Sequence, residues 1–99
     1  MSIATIIAEQ LGGIGRIRAM LGATVIMDEG DGLKIRWPSR TPSKGNCVIV
    51  RLCPSDTYEV TFWSIRNLDC KVVAQVSDVY AEDLVRVFEG QTGYRLRLV

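Results

Sequence analysis

Apolar positions along the chain switch from one period to another and back. Near the start they fall at Ile3, Ile6, Ile7 and Leu11, the three-to-four spacing that lines one face of a helix. Ser2 stands where an N-cap is wanted, since its hydroxyl accepts a first-turn N–H. Gly12-Gly13 predicts the stop, because glycine takes the left-handed conformation at a helix end without strain. A second, short helix is predicted over 16–21 with Ile17, Met20 and Leu21 inward; an extended reading of 16–20 competes with it.

From Ala23 the period falls to two, and strands are predicted over 23–27, 33–37, 46–53, 58–65 and 69–76. Asp28-Glu29-Gly30-Asp31-Gly32 between the first two is hairpin chemistry. The stretch 38–45, with two prolines, reads as an exposed loop, and Pro54-Ser55-Asp56-Thr57 as a turn. The helical period returns over 79–89. Asp78 is its expected cap, Tyr80, Leu84, Val87 and Phe88 its apolar stripe, and Gly90 or Gly93 its end. The tail 94–98 alternates and suggests a short edge strand.

Helices at both ends of five sequential strands predict an α+β fold: an antiparallel meander with the N-terminal and C-terminal helices packed on one face, forming one domain over 1–99. Alternation assigns the faces. Leu33, Ile35, Trp37, Val48, Val50, Leu52, Tyr58, Val60, Phe62, Cys70, Val72, Ala74 and Val76 are expected to look toward the helices. Lys34, Arg36, Cys47, Ile49, Arg51, Glu59, Thr61, Trp63, Ile65, Lys71, Val73 and Gln75 are expected to look away.

Composition then narrows the function. The net charge is +1, neither the strong basic balance of a generic duplex-DNA binder nor the acidity of a DNA mimic. Any charged partner is met by a local patch. Nine of the twelve basic residues are arginine, whose planar fork suits phosphate and carboxylate. Cys47, Cys53 and Cys70 are odd in number and contain no CxxC, which reads as buried free thiols in a reducing compartment. No basic-then-apolar leader is recognisable and no apolar run reaches the roughly 18 residues of a membrane span. A cytoplasmic protein with no membrane partner is expected.

Histidine is absent. The commonest general base, the Ser-His and Cys-His pairs and the usual zinc nitrogen ligand go with it. Gly12-Gly13-Ile14-Gly15 lacks the third glycine of a dinucleotide loop and follows a helix rather than a strand. Asp28, Glu29 and Asp31 form an acidic cluster without the spacing of a calcium loop, and a solvated turn accounts for it. The expectation is a non-enzymatic chain with no cofactor and no metal.

What remains is binding. The outward face gathers Lys34, Arg36, Arg51 and Lys71 around Trp63, the cation-and-aromatic pattern that grips single-stranded nucleic acid. Arg16 and Arg18 after the diglycine are a second candidate site, and Arg95 and Arg97 in the tail a third. Ile49, Ile65 and Val73 on the same outward face argue for a protein interface instead, a homodimer included. The aromatic strand signatures and element order of an RNA-recognition motif are missing.

Three segments carry a resemblance. They are 7–13 (Ile-Ala-Glu-Gln-Leu-Gly-Gly) with Ala19-Met20 and Gly22-Ala23; 54–62, from Pro54 to Phe62; and Val79 to Leu84 with Phe88 and Thr92-Gly93. In them the chain resembles small proteins of bacteriophages and integrated mobile elements. Such proteins often disarm host defences, and the resemblance implies an inhibitor of type I CRISPR surveillance complexes acting in a bacterial cytoplasm. Its partner would be a host protein or protein–RNA complex. With a near-neutral charge it would sit on protein surface, touch the guide RNA or lock a conformation rather than imitate DNA. The shared segments are core and turn residues, so no binding residue is transferred.

Overall fold

The computed structural model describes residues 2–38, 45–66 and 69–92. Helix α1 spans Ile3–Gln10, and the Thr5 N–H donates to the Ser2 Oγ at 3.1 Å, so the predicted cap is in place. Gly12 and Gly13 follow with φ of 110° and 95°, and the Gly13 N–H closes the helix end on the Ala8 carbonyl. The buried stripe is Ala4, Ile7, Ala8 and Leu11, while Ile6 is exposed. The helix is thus turned so that small alanines face inward, which brings its backbone close to the sheet. Helix α2, Ile14–Leu21, buries Ile17 and Leu21 and stops at Gly22, left-handed at φ 67°.

Five strands follow: β1 Val25–Asp28, β2 Gly32–Arg36, β3 Cys47–Leu52, β4 Tyr58–Arg66 and β5 Asp69–Val79. They pair antiparallel in chain order, β1-β2-β3-β4-β5. This is the predicted meander, with helices on one face. Leu33, Ile35, Trp37, Val48, Val50, Tyr58, Val60 and Phe62 are buried in one core with Ile7, Leu11, Ile17, Leu84 and Phe88. Helix α1 packs over β1 and β2, and the C-terminal helix against β5. Burial of this face is the dominant favourable term.

Strand β5 departs from the expectation. It is longer than predicted, 11 residues, and carries two irregularities. Phe62 pairs with Ala74 but Trp63 with Val72, so Val73 is an extra residue without a partner. Such a bulge reverses the alternation beyond it. Val73 and Ala74 both pack against the core, whereas Cys70 and Val72, predicted inward, are exposed, Val72 at 51%. A second shift lies between Tyr58↔Val79 and Val60↔Val76, where Asp78 adopts φ 56°. Asp78 therefore bends the strand instead of capping the last helix. A 3-10 turn, Ala81–Asp83, leads into α3, Leu84–Thr92, which continues through Gly90. Tyr80, placed in the helix stripe by periodicity, precedes this turn and is 59% exposed. The expected end at Gly93 and the tail strand lie outside the described residues.

Candidate functional site

The outward sheet face is built in rows by the register. Val25, Arg36, Cys47, Trp63 and Val72 stand in one row across all five strands. Met27, Lys34, Ile49, Thr61 and Gln75 stand in the next. Arg51 and Glu59 follow in a third, and Ile65 and Cys70 pair on the other side of Trp63. No described helix packs on this face. Its exposed apolar residues stand on the two edge strands, Met27 of β1 at 49% and Val72 of β5 at 51%.

Of the sequence candidates, Lys34, Arg36 and Trp63 are brought together here. Arg36 is the row neighbour of Cys47, and Cys47 of Trp63. Arg51 shares the face, but its guanidinium is held by Asp31 at 2.7 Å. That pair is half exposed, so its worth is small, about 0–1 kcal/mol. Lys71 is not with them. The Val73 bulge pairs it with Ser64, on the side of Phe62, and this corrects the four-cation patch to Lys34 and Arg36, two strands from Trp63, with Arg51 held by Asp31. Val73 likewise leaves the expected apolar patch, and Val72 takes its place. Arg16 and Arg18 are exposed on α2, whose Ile17 and Leu21 belong to the core beneath the opposite face. They do not join this surface. Arg95 and Arg97 lie outside the described residues.

Trp63 is half-buried rather than fully exposed. Its indole Nε1 is shielded from solvent and has no hydrogen-bond partner. Beside it Cys47 is 1% exposed although it sits on the outward face. Burial pushes the Cys47 thiol above its ordinary value, against the opposing pull of Lys34 and Arg36. The Trp63 strand is fixed from below by Asn46. Its side-chain amide donates to the Ile65 carbonyl at 2.9 Å and accepts the Ile65 N–H at 2.8 Å, while its own N–H donates to the Trp63 carbonyl at 2.9 Å. A side chain thus continues the β3–β4 ladder past the end of β3. On the far side, Gln75 Nε2 donates to Glu59 Oε1 at 2.9 Å.

Comparison with family models, curated proteins and solved structures finds no match. The acidic hairpin is engaged in its own structure: Asp28 Oδ1 accepts the Gly30 N–H at 2.7 Å, and Asp31 holds Arg51. Among the described residues no group of three or more potential ligands is placed to hold a metal ion. No helix among them is long and apolar enough to cross a membrane.

Sequence reasoning missed Met27, Val72 and Asn46. Met27 was legible, since it is opposite Lys34 in a hairpin of fixed register. Val72 was hidden by the bulge. Asn46 gave no signal, because an amide that replaces a strand residue looks like loop composition.

Proposed function

We propose that the chain is a non-enzymatic binding protein that docks on a partner protein through its outward sheet face. The observation that carries this is a sheet face on which no described helix packs, with Met27 and Val72 exposed on its two edge strands, Ile49, Trp63 and Ile65 half-buried between them, and the cations Lys34 and Arg36 on β2. Exposed apolar side chains gathered on one face favour an interaction site, and a Trp and an Arg on that face suit the composition of interfaces. The phage-like resemblance suggests that the partner is a bacterial nucleoprotein defence complex, a type I CRISPR effector first. Lys34 and Arg36 would meet acidic side chains or the guide-RNA backbone at its rim.

The test is a plaque assay on CRISPR-immune hosts with and without the gene, joined to a pull-down of the effector. Restored plaquing is expected, and Trp63→Ala and Arg36→Ala are expected to abolish it and to weaken capture by about 2 kcal/mol each. Unchanged immunity across CRISPR types removes the defence-complex reading.

Trp63 on one face with Lys34 and Arg36 also supports a second reading, a free-standing binder of single-stranded nucleic acid. That reading requires the isolated protein to bind an oligonucleotide with affinity falling as salt rises. Two free cations rather than four weaken it. A concentration-dependent mass of twice 11.0 kDa would instead assign the face to a second copy.

A further inference from the structure

The Val73 bulge that removes Lys71 from the outward face gives it new neighbours. Lys71 pairs with Ser64, and Asp69 with Arg66. All four residues therefore share the sheet side of Phe62, at the far end of the β4–β5 ribbon. An open cleft of about 780 Å³ lies along this end of β4 and β5, lined by Ser64, Arg66, Asp69 and Lys71 together with Cys70, Val72 and Val73 of the edge strand. That volume is within the roughly 300–1,000 Å³ of small-molecule sites.

The cations in this cleft differ from Arg51 and Arg86, which are committed to Asp31 and Asp83. Arg66 and Lys71 make no ion pair with any described residue, although Asp69 is the register partner of Arg66. They occupy diagonal cross-strand positions, close enough for two long side chains to converge on one group. An arginine fork and a lysine point charge together suit a phosphoryl dianion, and the Ser64 hydroxyl adds a neutral donor. Asp69 works against a bare polyanion but accepts a hydrogen bond from a hydroxyl. The four groups thus describe a ligand with a phosphate at one end and hydroxyls at the other.

We propose that this cleft binds a small hydroxylated phosphomonoester. Arg66, Lys71 and Ser64 hold the phosphoryl group, and Asp69 accepts from a neighbouring hydroxyl. The four polar groups lie on the side of the sheet opposite Trp63, while Val72 of the outward face borders the cleft at the edge strand.

Backbone amide shifts of the ¹⁵N-labelled protein test it at constant ionic strength. The probes are ribose 5-phosphate, inorganic phosphate, ribose and a short single-stranded oligonucleotide. Ribose 5-phosphate is expected to give saturable shifts confined to residues 64–73, inorganic phosphate weaker ones at the same amides, and ribose none. Arg66→Ala and Lys71→Ala should each weaken binding by about tenfold or more, the loss of a charge-assisted hydrogen bond. Both side chains are exposed, so the variants should melt with the parent, and a melting curve checks this. Asp69→Asn should shrink the preference for ribose 5-phosphate over inorganic phosphate. Absence of saturation at millimolar ligand, shifts unchanged in both cation variants, or tighter binding of the oligonucleotide at these amides would each overturn the assignment.

Discussion

Asn46 shows how one side chain substitutes for backbone. Its amide presents a donor and an acceptor in the spacing of a peptide unit, and Ile65 uses both. Asn46→Ala leaves two part-buried backbone groups without partners, and urea denaturation should show a loss of about 2 kcal/mol. Asn46→Asp keeps the acceptor but faces the Ile65 carbonyl with a second oxygen, so at neutral pH it should cost at least as much. Trp63 is half-buried, so Trp63→Ala should also cost about 1–3 kcal/mol of stability, below the cost of emptying a fully buried site. Melting must therefore be measured beside binding in that variant. Cys47 makes a pH prediction. Its folded thiol holds a proton to higher pH than the unfolded one, because burial penalises the thiolate. Between the unfolded and folded values the unfolded chain binds fewer protons, so stability is full below about pH 9, the ordinary value of 9.0, and falls as pH rises past it. In Cys47→Ala the alkaline fall should be shallower than in the parent, read as the difference between their denaturation curves against pH.

Among the elements, the ones with strong local signals were legible and the one with an internal irregularity was not. Ser2, the diglycine and the Asp-Gly hairpin fix α1 and the β1–β2 turn through local chemistry, and each is where its residues demand. Alternation also placed Lys34, Arg36 and Trp63 correctly, because β2, β3 and β4 run without interruption. It failed for Lys71 because Val73 and Ala74 share a side, and two successive valines followed by a small residue read equally well in either register. Arg51 was correctly faced, but its pairing with Asp31 is a contact across 20 residues that no spacing encodes. Asp78 carries the remaining irregularity, a left-handed residue inside a strand. Aspartate tolerates that conformation better than most residues, and glycine best. Asp78→Gly should raise stability by about 0.5 kcal/mol and Asp78→Val lower it by about 1–2 kcal/mol, checked by thermal melting. Equal melting of both would show that β5 relaxes its bend freely. Gly32 is fixed differently: a Cβ there would come 2.1 Å from the Val50 carbonyl oxygen, so the strand admits nothing larger.

At the scale of the molecule, two candidate surfaces lie on opposite sides of the sheet. The helix side holds the core and, beyond its margin, the Arg66–Lys71 cleft; the other side holds Trp63 and its neighbours. The near-zero net charge reflects an intermingling of signs, with Arg51 on Asp31, Arg86 on Asp83 and Asp69 opposite Arg66. The core closes through Phe88 of α3, whose ring lies 5.4 Å from Trp37 and 6.1 Å from Phe62, centroid to centroid. Phe88→Ala removes both contacts and should cost about 3–5 kcal/mol, which a denaturation curve would show as a lower midpoint.

That ring also sets an order of events in synthesis. Every strand pairs with the one made just before it, so the hairpins can form in turn as the chain leaves the ribosome. Trp37 and Phe62 emerge early, yet the side chain that covers them both comes 26 residues after the later one. Until it arrives the growing chain carries a finished sheet with an open oily seam, and for that interval it is a natural client for whatever guards nascent chains at the tunnel mouth.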